Sequence, residues 1–277
     1  MMKTTFTVQL SLLMLIERLH LIGVTIISAN TDGVVIKYSK DILKKVKKIH
    51  REWENVTKYI LENTNYSKII YRDVNNYIAF IIDKDGKHKK YKFKGAYEID
   101  KDYHKNHSKR IVAIAAANYF INGKTPEETI LNYFNEKSLL FAKNYGIFDF
   151  CIGWKSIKGS KLQERIINGA KVKDKKLGKV NRYYVSTNGN DLIKVLPPLE
   201  KNKITEVEKL KKKSPGQINI FDFIEDKYTI EPKNRESFIE AGWKSTLFNV
   251  YNKSKYNLNY DYYIKETYKL INNDETS

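Results

Sequence analysis

Residues 24–38 read Val-Thr-Ile-Ile-Ser-Ala-Asn-Thr-Asp-Gly-Val-Val-Ile-Lys-Tyr. Two β-branched runs flank the polar stretch Asn30-Thr31-Asp32-Gly33. That pattern predicts a hairpin in which Gly33 supplies the permissive backbone of the turn. The turn carries one carboxylate, Asp32, at the tip of two strands expected to be buried. A carboxylate on a rigid hairpin suits a hard divalent cation, which needs oxygen ligands held in place. Asp is also common in such turns for backbone reasons alone.

Working outward, residues 6–22 form an expected apolar helix closed by Gly23. Its run Leu10–Ile16 is interrupted by Glu17, Arg18 and His20. It is too short to span a bilayer and lacks a clean cleavage site, so a cytoplasmic protein with no membrane partner is expected. On the other side, Ser39 is the expected cap of a helix over 41–62. Ile42, Leu43, Val46, Ile49, Trp53, Val56, Ile60 and Leu61 fall at helical spacing, and the other face carries Lys44, Lys45, Lys47, Lys48 and Arg51. Strands are expected at 68–72, 77–82 and 89–94, the last two joined by Lys84-Asp85-Gly86-Lys87. Residues 1–100 thus read as an antiparallel sheet with helices on one face, an α+β arrangement.

Residues 101–277 read as mainly helical. One helix is expected over 108–121. Thr125-Pro126-Glu127-Glu128 is a capping box with Pro at the first helical position, opening a helix expected to reach about 143. A β-like segment at 148–158 and a hairpin pair at 182–186 and 191–195 follow. Pro197-Pro198 and the Lys-rich stretch 201–213 suggest a surface connection, and the tail from about 235 reads as helical.

Composition narrows the function. Fifty Lys and Arg against 32 Asp and Glu give a net charge of +18, which points to a polyanionic partner, nucleic acid first. A Lys-rich proteome would produce the same excess. The single cysteine, Cys151, excludes an internal disulfide and a Cys-based zinc site, and it reads as a small buried hydrophobe. The five histidines have no metal-ligand spacing. His20 and His50 read as boundary residues, and His104 and His107 as a loop near phosphate.

The helix, Gly23 and the hairpin with Asn30-Thr31-Asp32-Gly33 resemble the third polymerase motif of family B DNA polymerases. The likeness is greatest to the divergent bacteriophage type, including the crAss-like phages. Where the common pattern is Asp-Thr-Asp-Ser, this chain has Asn30 and Gly33 in place of the first Asp and the Ser, and Asp32 matches the second Asp. Tyr71-Arg72-Asp73-Val74-Asn75-Asn76-Tyr77-Ile78-Ala79 resembles the segment that contacts the primer strand, with Tyr77 at its tyrosine and Asn75 where the family has lysine. Asp85-Gly86-Lys87 and Lys92-Phe93-Lys94-Gly95 resemble the next palm hairpin and its exit. His104-Lys105-Asn106, Arg110-Ile111-Val112, Asn122-Gly123 and Glu127–Ile130 resemble the start of the phage thumb. Asn181–Ser186 and Tyr262-Tyr263-Ile264 resemble segments near the polymerase C-terminus.

The resemblance implies part of a palm (1–100), then a thumb with a C-terminal extension (101–277), of a DNA-directed DNA polymerase. The family's other metal-binding Asp strand and its fingers helix are not in this sequence. The implied activity is two-metal transfer of a nucleotide from dNTP to a primer 3′-hydroxyl, with Mg²⁺ held by Asp32 and by a carboxylate from an upstream polymerase segment. Alone, the chain is expected to be inactive or nearly so. Thr31, Asn75, Tyr77, Lys94, Lys105, Lys109 and Arg110 are the implied contacts to primer–template DNA. A non-catalytic DNA-binding relic of the same scaffold is the alternative. A metal-dependent nuclease is a third reading, for which only the pair Asp100 and Asp102 offers clustered carboxylates.

Overall fold

The computed structural model describes residues 2–30, 33–99, 108–135, 144–157, 159–197, 235–248 and 256–272, with side chains from residue 6 onward. The fold is α+β, with antiparallel pairing throughout the described strands. Two separate clusters of buried side chains organise it.

The first cluster belongs to α1 (Met2–His20), the hairpin β1 (Thr25–Ala29) and β2 (Val34–Lys37), and α2 (Leu43–Thr57). Leu12, Leu15 and Leu19 recur at helical spacing on α1 and bury against Val24, Val46 and Trp53. The indole Nε1 of Trp53 donates to the Ser11 carbonyl at 2.6 Å, which fixes the rotation of α2 against α1. The expected helix over 41–62 is shorter. A 3-10 turn at Lys40–Ile42 precedes α2, and α2 stops where Lys58 turns left-handed, φ 64°. Leu61 N then donates to the Glu54 carboxylate at 2.8 Å, so a side chain, not a further helical turn, receives that backbone group. Ser39 occupies the expected cap position, but there it precedes the 3-10 turn.

The hairpin is where the sequence placed it. Asn30 N donates to the Gly33 carbonyl at 2.9 Å and closes the turn. Gly33, however, is not left-handed, so the permissive backbone expected of it is not what the turn uses.

The second cluster starts with the three-stranded meander β3 (Asn65–Asp73), β4 (Asn76–Ile82) and β5 (His88–Lys94). Residues 1–100 therefore carry two sheets, β1–β2 and β3–β4–β5, where one was expected. The physical reason is burial: Ile78 of β4 packs with Tyr97, Ile99 and Ile111 in the second cluster, not with α1 and α2. The core thus runs across the boundary expected at residue 100.

Helix α3 (Arg110–Asn122) lies at the centre of this cluster, with Ile111 and Ala113–Ala117 buried. The capping box of Thr125 and Glu128 is present, but α4 (Pro126–Leu131) ends after six residues, and residues 136–143 lie outside the described part. Among its described residues the second half carries more strand than helix. A 3-10 turn at Gly146–Asp149 leads into β6 (Ile152–Lys155), β7 (Lys161–Asn168), β8 (Lys171–Lys176), β9 (Val180–Leu196), β10 (Arg235–Ile239) and β11 (Ser245–Leu247). Among the described residues the tail from 235 is thus strand at β10 and β11 and helix at α5 (Tyr260–Ile271). The stretch 201–213 lies outside the described residues.

The expected hairpin over 182–195 is instead one continuous strand. The first half of β9 pairs with β6 and β11, and its second half with β7 and β10. At the junction a Cβ on Gly189 would lie 2.2 Å from the Ser245 carbonyl oxygen and 2.4 Å from Ser186 Oγ. The glycine is required by close approach of the β11 backbone, not by a turn.

Candidate nucleic-acid interface

The β3–β4–β5 meander positions the clearest cluster of expected site residues. Tyr71, Tyr77 and Lys94 are directly opposite one another across the three strands. The next row is Ile69, Ala79 and Lys92, followed by Ile81 opposite Lys90. Side chains alternate along a strand, so these rows share one face, while Ile70, Ile78, Phe80 and Phe93 take the other and join the core.

On the first face Tyr77 is approached by two ammonium groups. The Nζ atoms of Lys92 and Lys94 lie 5.9 and 5.7 Å from its ring centroid. Each contact is worth about 0.5–1 kcal/mol at a solvated site. Their joint effect is to gather two positive charges around a ring on a rigid strand. Tyr71 and Lys92 are exposed beside it, and Tyr77 and Lys94 are partly so. Lys92, Lys90 and Tyr71 were not singled out as contact residues. Their signal is the period-two spacing of Lys90, Lys92 and Lys94 opposite a Tyr-x-x-x-x-x-Tyr pair.

The turn at the end of this face is tightly built. The Asp73 carboxylate accepts from Asn75 N at 2.8 Å and from Asn76 Nδ2 at 2.7 and 2.9 Å. The backbone bond from Asn75, with that from the Asn76 side chain, holds the Asp73 carboxyl below its usual range. Asn76 Oδ1 in turn accepts from Ala96 N at 2.7 Å. Gly95 is left-handed, φ 65°, and a Cβ there would lie 2.2 Å from the Asn75 carbonyl. Asn75 itself is exposed at the tip, so the structure brings Asn75, Tyr77 and Lys94 to one end of one sheet.

Lys109 and Arg110 are placed elsewhere, at the start of α3. Lys109 Nζ bonds Glu266 at 2.7 Å and the Tyr262 hydroxyl at 3.0 Å. The Arg110 side chain is 4% exposed; it donates to the Ile99 carbonyl at 2.7 Å and to Asp149 at 2.8 Å. Arg110 therefore serves the core, and no phosphate reaches it in this arrangement. Thr31, Asp32 and Lys105 lie outside the described residues, as do Asp100, Asp102, His104 and His107.

Two segments quoted for their likeness to polymerase C-termini meet. Tyr263 is fully buried; its hydroxyl accepts from Val185 N and donates to the Phe150 carbonyl, both at 2.9 Å. Burial pushes its ionisation far up, so it is a neutral bridge between β9 and the 3-10 turn. Cys151 is buried as expected, and burial pushes its thiol up to about 12.

Among the described residues no group of three or more His, Cys, Asp or Glu side chains is placed to hold a metal ion. The described residues supply the frame of the Asn30–Gly33 turn and no metal cage around it. None of the described helices is long and apolar enough to cross a membrane. Comparison with known proteins gives no family model, no curated protein and no solved structure that matches this chain. The likeness to family B polymerases rests on the segments quoted above.

Proposed function

We propose that this chain is part of a family B-type DNA polymerase and that the Tyr77 face of β3–β4–β5 holds primer–template DNA. The observation that carries this reading is the pair Lys92 and Lys94 gathered around Tyr77 at the end of the sheet where Tyr71, Asn75 and Lys92 are exposed. Ammonium groups neutralise backbone phosphates, and an aromatic ring between them gives a sugar or base a surface to pack on. Asn75 at the adjoining tip offers an amide in place of the lysine seen in the family. Asp32, on the turn that β1 and β2 hold, is the proposed metal ligand. Mg²⁺ bound there would stabilise the attacking and leaving oxygens during transfer from dNTP, with a second carboxylate from a separate upstream segment. The site of action is the cytoplasm, that of the host cell if the chain is phage-encoded.

Primer extension in Mg²⁺ tests the reading, using this chain alone and mixed with the product of the reading frame immediately upstream. Activity in the mixture that is lost with Asp32→Ala supports it. Activity that survives that substitution defeats the metal assignment. Tyr77→Ala is expected to weaken primer–template binding by about 1–3 kcal/mol, the usual worth of an aromatic platform.

A non-catalytic DNA-binding protein is the second reading. It is favoured by the separation of the two buried clusters, since the basic sheet is built without the Asp32 hairpin. DNA binding without extension, alone or in the mixture, would select it.

A further inference from the structure

Helix α2 carries a basic stripe that the sheet face does not account for. Lys44, Lys47, Lys48 and Arg51 follow the i, i+3, i+4, i+7 pattern and line an open groove of about 310 Å³ with Glu52 and Asn55. At 100° per residue this stripe is diametrically opposite Val46, Ile49 and Trp53, which pack on α1 and the hairpin. The Trp53–Ser11 bond locks that rotation, so the stripe faces outward. The single carboxylate in the groove, Glu52, is already engaged by Arg18 at 2.8 Å, with Lys48 at 3.9 Å. Lys44, Lys47 and Arg51 have no ion pair among the described residues.

We propose that this stripe is a second seat for the DNA backbone, distinct from the Tyr77 face and specific for a run of phosphates along one strand of a duplex. From Lys44 to Arg51 the helix rises about 10 Å at 1.5 Å per residue. A duplex strand presents a phosphate every 3.4 Å of axis, so the stripe spans about three phosphates. Lys44, Lys47 and Arg51, the three without an ion pair among the described residues, match that number of phosphates, and a fixed helix holds them without the ordering cost of a flexible tail. Asn55 extends the row with a neutral donor. Contacts of this kind position DNA without reading its sequence. The inference rests on the nucleic-acid part of the proposed function and is independent of polymerase activity.

The test is equilibrium binding of a fluorescein-labelled 20-base-pair duplex of random sequence, measured across a KCl series. Three triple variants are compared with the unaltered chain. Lys44→Gln with Lys47→Gln and Arg51→Gln removes the stripe. Lys171→Gln with Lys173→Gln and Lys175→Gln removes the same charge from the exposed strand β8. Tyr77→Ala with Lys92→Gln and Lys94→Gln removes the sheet face. Gln is a good helix former, and far-UV circular dichroism confirms that each variant is folded.

Loss of three duplex contacts reduces the slope of log K against log[salt] by about 2.7, and affinity in 100 mM KCl falls by a few hundredfold, on the order of 10^2.7. That result for the α2 variant, with the β8 variant near the unaltered chain, is expected. An unchanged slope in the α2 variant overturns the proposal. Equal losses in the α2 and β8 variants also overturn it, because net charge alone would then explain binding. An unaltered chain that does not bind the duplex overturns it as well. If the sheet variant binds like the unaltered chain while the α2 variant does not, the Tyr77 assignment fails and the α2 seat stands.

Discussion

Arg110 and Asp149 form an ion pair inside the second core, Nη1 to Oδ1 at 2.8 Å, with 4% and 1% of their side chains exposed. Asp149 also accepts from Tyr145 N at 3.0 Å and from the Tyr133 hydroxyl. Removing one partner of such a pair leaves an uncompensated buried charge, which costs about 3–5 kcal/mol. Asp149→Ala should therefore lower the urea midpoint sharply. A midpoint unchanged within error would show that Arg110 finds another partner or water.

Glu266 sets a pH dependence of known sign. Burial is the largest influence on its carboxyl and opposes ionisation, but the hydrogen bonds from Lys109 and Lys269, at 2.7 and 2.8 Å, outweigh it and lower the pKa from 4.5. A carboxyl with a depressed folded-state pKa contributes stability above its unfolded value, and this is lost as pH falls through the folded value. Thermal unfolding from pH 6 down to pH 3 should show the loss beginning below about pH 4.5. Glu266→Gln should flatten that part of the profile and lower stability at pH 6 by roughly 1 kcal/mol.

Gly189→Ala should destabilise the chain by about 1–3 kcal/mol or more, because the new methyl group overpacks against backbone. Its Cβ would fall 2.2 Å from the Ser245 carbonyl oxygen, so β9 and β11 must separate to admit it. The readout is the chemical denaturation midpoint. Gly242→Ala, at a site with open space around its Cβ but a left-handed backbone, φ 85°, measures the conformational effect alone.

Cys151 should be inert. Its thiol is buried and pushed up to about 12, so less than about one part in a thousand is thiolate at pH 8. A disulfide reagent such as DTNB should leave it unreacted in the native protein and titrate one thiol in guanidinium. Rapid native reaction would mean that the core around β6 and β9 opens.

Three Asn-Gly pairs show how much of the fold was legible in the sequence. Asn122-Gly123 ends α3, with Gly123 left-handed at φ 70°. Asn168-Gly169 turns β7 into β8, with Gly169 at φ 59°. Asn188-Gly189 looks like the same signal but lies inside β9, where the strand runs straight on. The first two are decided by local backbone preference, and the sequence carries that information. The third is decided by Ser245, far along the chain, whose carbonyl occupies the space a side chain would need. The meander was legible for the same reason as the first two, because its turns and alternation are local. Arg110 was not, because a cation near other cations reads as a surface group until Asp149 is brought beneath it from 39 residues away. On the candidate face, Tyr77 and Lys94 are singled out by the sequence, whereas Lys92 joins them only once register places it over the Tyr77 ring.

The pairing of β9 has a consequence for how the chain is made. Its neighbours come from both sides of it in sequence: β6 and β7 are synthesised earlier, β10 and β11 later. A growing chain that has emerged only as far as residue 197 lacks the two described partners that pair with Tyr183–Val185 and Leu192–Leu196. The sheet is therefore complete only once residues 235–247 have left the ribosome. Until then β9 is an open template for strands from other nascent copies, and slow translation through that interval would favour tangling between chains on the same message.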